Sequence, residues 1–195
     1  MTRACDPLNA EWGFWDRWAD GRWEPETKDI IERYVADGTF VDIGAWIGPT
    51  AMWASPTADR VVAVEADPTA LAMLHENTAD LTNIDYFPVA VSDRDGETTI
   101  TTAGDSMSRI GAGGVTVRCV TIETLFAEAD VSSADLIKID IEGAEREVLA
   151  QAEPFLRRFG SPILLSVHAW APWSHDLLPG WNRTVIEPHE WLVTP

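Results

Sequence analysis

Short apolar runs alternate with helical patterns along most of the chain. The apolar runs predict buried strands at residues 39–43, 60–66, 84–91, 134–141 and 162–168. The helical patterns cover residues 26–36, 49–55, 67–80 and 142–158, and the last of these carries an apolar stripe at helical spacing. Strand–helix–strand alternation with short connections predicts an α/β fold with one doubly wound, mostly parallel sheet and helices on both faces.

The N-terminal residues 1–28 depart from this alternation. Trp12, Trp15 and Trp18 recur every third residue among acids and glycines, a spacing that can place them along one side of a helix. We predict that this segment is a tryptophan-rich lid on a domain formed by residues 29–195. Two compatible interpretations remain: the aromatics pack the lid on the domain, or they also wall a ligand pocket.

Two later regions also interrupt the pattern. Residues 97–102 and 116–122 predict extended segments, and a glycine-rich stretch at 104–114 joins them. At the C-terminus, residues 181–186 and 191–194 predict a short hairpin. Neither region marks a domain boundary.

Composition and charge limit the classes of partner that the protein could bind. The 195 residues carry a formal net charge of −18, which disfavours binding to nucleic-acid phosphates and to anionic lipid surfaces. No apolar run approaches the length of a membrane span, and the N-terminus lacks the apolar region of a secretory signal. Cys5 and Cys119 provide neither a disulfide framework nor a metal spacing. These features predict a cytoplasmic protein without nucleic-acid or membrane partners, and they leave its oligomeric state open.

The most informative stretch is Val41 to Gly48, which reads V-D-I-G-A-W-I-G. A buried strand that ends in Asp-x-Gly-x-x-x-Gly predicts a nucleotide-binding turn, because glycine allows both a sharp turn and close approach of a ligand. The spacing differs from the G-x-G-x-x-G turn that holds a pyrophosphate. Asp42 would repel a phosphate, which disfavours a nicotinamide oxidoreductase. It suits a cofactor that presents a cation or hydroxyls, such as the amino-acid end of S-adenosylmethionine.

A second acid follows at the end of the next predicted strand. Glu65 lies about 20 residues beyond the glycine turn, where nucleotide-binding α/β folds place a carboxylate that accepts hydrogen bonds from ribose hydroxyls. Asp42 and Glu65 would both lie at the carboxyl edge of the sheet, the edge at which open α/β sheets bind ligands. The pair indicates a nucleotide-binding site more strongly than either acid does alone.

Four blocks in order resemble the FkbM family of S-adenosylmethionine-dependent methyltransferases. They are D-I-G-A-W-I-G, V-V-A-V-E-A-D-P, A-V-S-D from Ala90 to Asp93, and K-I-D-I-E-G-A-E from Lys138 to Glu145. The resemblance covers about Thr27 to His168. It implies a class I methyltransferase sheet whose last strand is antiparallel, and methyl transfer to a hydroxyl of a sugar or small secondary metabolite.

The resemblance also implies positions around the cofactor. Glu65 with its neighbour Ala66 would contact the ribose, and Asp93 would lie near the adenine. The methionine end would be contacted by the residues of the glycine turn: Asp42, Gly44, Ala45, Trp46 and Gly48. Asp140, together with Glu142, would face the transferred methyl. One departure concerns the fifth main strand, where family members commonly carry an acid and this chain has Ser166. That departure bears on the substrate pocket more than on the cofactor.

Transfer to an alcohol requires removal of a proton, for which Asp140, Glu142 and His168 are the candidates. Each has a structural alternative: Asp140 as the N-cap of the following helix, Glu142 as an acid in its first turn, and His168 as a polar strand end. The same three side chains suit a divalent cation, although the sequence alone does not predict one.

Two other functions compete with O-methylation. An N-directed methyltransferase is disfavoured because Asp140-Ile141-Glu142-Gly143 replaces the Asn/Asp-Pro-Pro-aromatic motif of amino-group methylation. A catalytically silent cofactor-binding module is disfavoured because both Asp140 and Glu142 are present.

Overall fold

The computed structural model describes residues 3–101, 109–110, 114–168 and 177–195. The strands are β1 (Thr39–Ile43), β2 (Arg60–Val64), β3 (Ile84–Phe87), β4 (Ala90–Val91), β5 (Gly96–Thr101), β6 (Arg109–Ile110), β7 (Val115–Val120), β8 (Leu136–Ile139), β9 (Ile163–Ser166), β10 (Asn182–Glu187) and β11 (Glu190–Thr194). The helices are α1 (Pro7–Glu11), α2 (Phe14–Ala19), α3 (Pro25–Tyr34), α4 (Pro49–Ala54), α5 (Pro68–Asn77), α6 (Ile122–Glu128) and α7 (Glu145–Phe159). Within these ranges no helix combines the length and apolar character that crossing a membrane requires.

The central sheet has seven strands in the order β10-β11-β9-β8-β1-β2-β3. Strands β3, β2, β1, β8 and β9 pair in parallel, whereas β11 is antiparallel to both β9 and β10. The order reverses between β1 and β8, which is where open α/β sheets form a binding crevice. The predicted doubly wound sheet, its antiparallel last strand and the terminal hairpin are confirmed.

Alternating side chains of the sheet fill two apolar cores. Val41 and Ile43 belong to the core that contains residues of α6 and α7. Phe40, which precedes Val41 and points to the other face, belongs to the core that contains residues of α3, α4 and α5. Burial on both faces explains why the strands are continuously apolar in sequence. It also makes polar residues in these strands, Asp42 and Lys138, exceptional.

Two predictions about the middle of the chain were wrong. The strand expected over residues 84–91 is divided into β3 and β4, and β4 belongs to a separate sheet of four strands in the order β4-β7-β5-β6. Pro88 lies at the division, where its missing N–H cannot continue a ladder. The second error concerns the extended segment expected over residues 116–122, because helix α6 already begins at Ile122. Thr121 caps it by accepting a hydrogen bond from Thr124 N at 3.1 Å. Most of the glycine-rich stretch 104–114 lies outside the described residues.

Candidate functional site

A cavity of about 470 Å³ lies at the carboxyl ends of β1, β2 and β8. The glycine turn after β1 forms its floor. Phe14, Trp23 and Glu24 contribute from the N-terminal segment, and Pro188 with His189 contributes from the turn between β10 and β11. Both ends of the chain therefore enclose the crevice that the strand order creates. The division of the chain at residue 28 remains a prediction, and α3 runs across that position.

Gly44 holds the turn against the end of β8. It has a φ of 83°, and a Cβ at this position would lie 1.8 Å from the Asp140 carbonyl oxygen. The amides of Gly44 and Ala45 both donate to the Val64 carbonyl, at 2.9 and 3.0 Å. Only glycine fits this conformation and this contact, so the backbone passes close to Asp140 while it turns into the cavity.

Asp42 lies beneath the cavity and does not line it. The side chain is fully buried, and its Oδ2 accepts a hydrogen bond from Thr50 Oγ1 at 2.6 Å. Burial raises the pKa of Asp42, whereas Lys138 and the Thr50 hydroxyl lower it. Asp42 therefore braces the turn from below, and its predicted contact with the methionine end of a cofactor remains a prediction.

Lys138 lines the cavity, although the sequence analysis assigned it no place in the site. It is the register partner of Asp42 on β8, its side chain is 5% exposed, and its Nζ lies 3.2 Å from Asp140 Oδ2. Burial alone would lower the pKa of Lys138, but the carboxylates of Asp140, Asp42 and Glu24 outweigh it and hold that pKa above its ordinary value. The signal in the sequence was a lysine inside the otherwise apolar run L-I-K-I.

Glu65 lies on the cavity wall after β2. Its Oε2 accepts from Trp46 N at 2.8 Å and its Oε1 accepts from Asp67 N at 2.7 Å. Burial raises the pKa of Glu65 to about 7, although these two backbone hydrogen bonds oppose the shift. Both oxygens retain further lone pairs, so the carboxyl group is oriented and can still accept hydroxyl hydrogens.

Trp46 adopts a left-handed backbone conformation, with a φ of 49°, in the middle of the glycine turn. Its ring packs edge-on against Phe14, with 5.0 Å between centroids. The residue therefore lines the cavity and also connects the turn to the N-terminal segment.

Asp140, Glu142 and His168 converge at the other end of the cavity. His168 Nε2 lies 3.2 Å from Glu142 Oε2 and 3.6 Å from Asp140 Oδ1. His168 Nδ1 donates to Oε1 of the fully buried Glu145 at 2.9 Å. Burial would lower the pKa of His168, but its hydrogen bonds with Glu142 and Glu145 raise it to about 10. At neutral pH the imidazole is therefore positively charged among these acids.

The segment before α7 differs from the predicted helix start. Helix α7 begins at Glu145 with Ala144 as its N-cap, and no side chain caps it. The predicted helix start at residue 142 was therefore wrong, and the structural alternatives, Asp140 as N-cap and Glu142 in the first turn, do not apply. Glu142 has a φ of 52° and Gly143 a φ of 103°. Two successive left-handed residues cannot continue into a helix, and they direct this turn toward His168.

The cavity gathers most of the residues predicted from the sequence: Gly44, Ala45, Trp46, Glu65, Ala66, Asp140, Glu142 and His168. Asp42, Gly48 and Asp93 do not line it. Gly48 packs under the turn, where a Cβ would lie 2.6 Å from Leu74 Cδ1. The Asp93 carboxylate accepts from Ser92 Oγ at 3.2 Å and pairs with Arg94. The predicted contacts of Gly48 and Asp93 with the cofactor remain predictions.

An acid on the neighbouring strand β11 lies beside Ser166. Glu190 is the register partner of Ser166, and its Oε1 accepts from Thr27 Oγ1 at 2.5 Å. Burial raises the pKa of Glu190. Burial likewise raises the pKa of Glu24 to about 7, opposed by Lys138 and reinforced by Asp140. Sequence spacing alone could not predict Glu190, because it meets Thr27 across 163 positions.

Solved structures share this architecture. A methyltransferase FkbM from Methylobacillus flagellatus superposes with a TM-score of 0.56 at 15% identity, over 82% of this chain and 44% of that one. An rRNA methylase from Streptococcus thermophilus superposes with a TM-score of 0.56 at 12% identity, over 86% of this chain and 92% of that one. Aeropyrum pernix fibrillarin, in complex with natively bound S-adenosyl-L-methionine, superposes with a TM-score of 0.51 at 16% identity, over 83% of this chain and 68% of that one.

These superpositions identify the sheet as a class I methyltransferase fold. This chain spans less than half of the length of the Methylobacillus protein. No curated protein sequence matches it. The family described as "Methyltransferase FkbM domain" matches residues 42–178, more than half of the chain. The match begins at Asp42 and includes the glycine turn, Glu65 and the Asp140–His168 cluster, so the chain belongs to the FkbM methyltransferase family.

Proposed function

We propose that the protein transfers a methyl group from S-adenosylmethionine to a hydroxyl of a sugar or small secondary metabolite. The observation that carries this proposal is the position of Glu65 and Asp140 on opposite sides of Gly44, in one cavity at the reversal of strand order. An orienting carboxylate on one side and a cluster of acids on the other suit a ligand with ribose hydroxyls and a cationic end.

The cavity provides distinct surroundings for each part of such a cofactor. Glu65 would accept the ribose hydroxyls. Val89, Val91 and Ile100 form an apolar wall beyond it, suited to the flat face of adenine. The sulfonium and the amino group carry positive charge, and they would lie toward the acids beside Lys138.

Methyl transfer requires alignment more than covalent chemistry from the protein. The acceptor oxygen attacks the methyl carbon in line with the sulfur–carbon bond, which breaks and leaves neutral S-adenosylhomocysteine. The hydroxyl proton passes to a carboxylate of Asp140 or Glu142 as the carbon–oxygen bond forms. His168 contacts both side chains and holds them toward the same space.

The acceptor is proposed to be small and uncharged, because acids dominate the walls around it. Glu24, Glu142 and Glu190 all line the cavity, in a chain with a net charge of −18. This charge opposes the approach of a nucleic-acid backbone and argues against an RNA substrate. We propose a cytoplasmic location with this function, in keeping with free thiols at Cys5 and Cys119.

Transfer of a radiolabelled methyl group tests the proposal. The purified chain is incubated with methyl-labelled S-adenosylmethionine and separate panels of hydroxylated glycans, hydroxylated metabolites, amines and ribosomal RNA. We expect incorporation of the label into a hydroxyl compound. The rate of incorporation should be at least a hundredfold lower in Glu142→Gln. It should be unchanged in Glu147→Gln, which alters an exposed acid on α7. Incorporation into amines or RNA alone would overturn the acceptor class. Cofactor binding without transfer to any panel would favour a silent module.

A further inference from the structure

His168 is held in one orientation from behind. Its Nδ1 contacts Oε1 of Glu145, whose side chain is 0% exposed and which also accepts a hydrogen bond from Gly143 N at 3.1 Å. A buried carboxylate on one imidazole nitrogen is the arrangement by which proteins orient a histidine whose other nitrogen binds a metal. The other nitrogen, Nε2, is directed toward Asp140 and Glu142.

The carboxylate oxygens in front of Nε2 are buried. Within the described parts of the chain, Asp140 Oδ1 and Glu142 Oε2 are buried, and His168 Nε2 approaches them at 3.6 and 3.2 Å. Lys138 holds the opposite oxygen of Asp140, Oδ2, at 3.2 Å, so that Oδ1 faces the histidine. Three carboxylates, those of Asp140, Glu142 and Glu145, therefore surround one imidazole. Buried negative charge is costly, and a divalent cation in place of the Nε2 proton would balance more of it.

We propose that Asp140 Oδ1, Glu142 Oε2 and His168 Nε2 bind a divalent cation. One ligand atom from each residue lies within 4.8 Å of the others, a spread that one ion can bridge. The site rests on the proposed function, because the ion's open positions would face the acceptor hydroxyl and acidify it.

The donor set indicates the kind of ion. Two carboxylates give the site a charge that balances a divalent cation. Magnesium and calcium take oxygen ligands, whereas the imidazole nitrogen favours a first-row transition metal such as Mn²⁺. Three protein ligands leave coordination positions open for water or substrate. Glu145 is then a positioning residue that acts through His168.

Manganese binding to the metal-stripped full chain provides the test. Electron paramagnetic resonance follows the loss of the free Mn²⁺ signal during titration, and we expect one saturable site. Glu142→Gln and His168→Asn should each weaken it at least tenfold, and Glu145→Gln by about 10- to 100-fold. Glu147→Gln, on the exposed face of the same helix, should bind Mn²⁺ as the wild type does.

Electron spin echo modulation adds a readout that does not depend on affinity. Bound Mn²⁺ should show coupling to an imidazole nitrogen, and that coupling should disappear in His168→Asn. Melting temperatures identify any variant that fails to fold, and the comparison then rests on the folded ones. Absence of saturable binding, equal binding in Glu142→Gln and His168→Asn, or absence of nitrogen coupling in the wild type would overturn the proposal.

Calorimetry with S-adenosylhomocysteine on the same metal-stripped protein separates this proposal from the proposed function. Binding of the nucleoside without Mn²⁺ binding would overturn the cation site and leave the methyltransferase proposal intact. Saturable Mn²⁺ binding with nitrogen coupling, but without nucleoside binding, would support the site and contradict its assigned role in methyl transfer.

Discussion

Lys138 and Asp42 are register partners on the adjacent parallel strands β8 and β1, and Lys138 Nζ lies 3.8 Å from Asp42 Oδ1. Both side chains are almost completely buried directly beneath the glycine turn. Lys138 also contacts Asp140 at the cavity rim. Lys138 therefore connects the acid that braces the turn to an acid that lines the cavity.

Replacing Lys138 with methionine should destabilise the fold. The substitution keeps most of the apolar stem but leaves Asp42 buried without its cation, a loss of about 3–5 kcal/mol. Urea denaturation at neutral pH measures it. Lys28→Met, which removes a surface pair with Glu32, should cost less than about 1 kcal/mol. Equal losses in the two variants would contradict the role given to Lys138.

Adding a methyl group at Gly44 should disrupt the site through a backbone collision. Gly44 and Gly160 share a φ of 83°, but a Cβ at Gly44 would lie 1.8 Å from Asp140 O, whereas one at Gly160 meets nothing within 4 Å. Gly160→Ala should therefore cost only the left-handed strain, about 1–2 kcal/mol. Gly44→Ala should cost more and should abolish cofactor binding. Binding at wild-type affinity in Gly44→Ala would refute this account of the turn.

Removing the Thr27 hydroxyl should loosen the enclosure of the cavity. Thr27 Oγ1 is the donor to Glu190, and the bond joins α3 near one end of the chain to β11 near the other. Thr27→Val preserves shape but leaves a buried carboxylate oxygen without its donor, at a cost of about 1–3 kcal/mol. Thermal unfolding measures the loss. Thr98→Val, on β5 in the other sheet, is the control variant. If Thr27→Val loses no more stability than Thr98→Val, the Thr27–Glu190 bond contributes little.

The stability of the ligand-free protein should depend on the charge of Glu65. Its pKa rises from 4.5 in the unfolded chain to about 7 in the fold. Between these values the folded state holds a proton that the unfolded state has lost. This contribution is therefore complete below about pH 4.5 and disappears as the pH rises to about 7.

Glu65→Gln should reduce that pH dependence, because glutamine does not titrate. Denaturation midpoints at pH about 5 and about 8 provide the comparison. The slope should not vanish, since the pKa of Glu24 is also raised to about 7. Glu97→Gln, an exposed acid, should retain the wild-type slope. An identical slope in Glu65→Gln would show that Glu65 is ionised throughout this range.

The sequence predicted the parts of the site that depend on strand periodicity. Glu65 follows from an acid at the end of an apolar run, because parallel pairing brings such ends to one edge. Asp42 follows from the same pattern but lies beneath the cavity. The late start of α7 did not follow, because Glu142 adopts a left-handed conformation that composition does not favour. The division at Pro88 and the Thr27–Glu190 bond depend on which sheet a segment joins and on contacts between distant residues. Local patterns do not encode such contacts.

Calorimetric titration with S-adenosylhomocysteine and, separately, with NAD tests the central claim most directly. Wild-type protein should bind S-adenosylhomocysteine in the micromolar range and should not bind NAD. Asp42→Ala and Glu65→Ala should both weaken the binding, the first through the turn and the second through the ribose. Binding of NAD, or binding of neither ligand by folded protein freed of copurified nucleoside, would contradict the account.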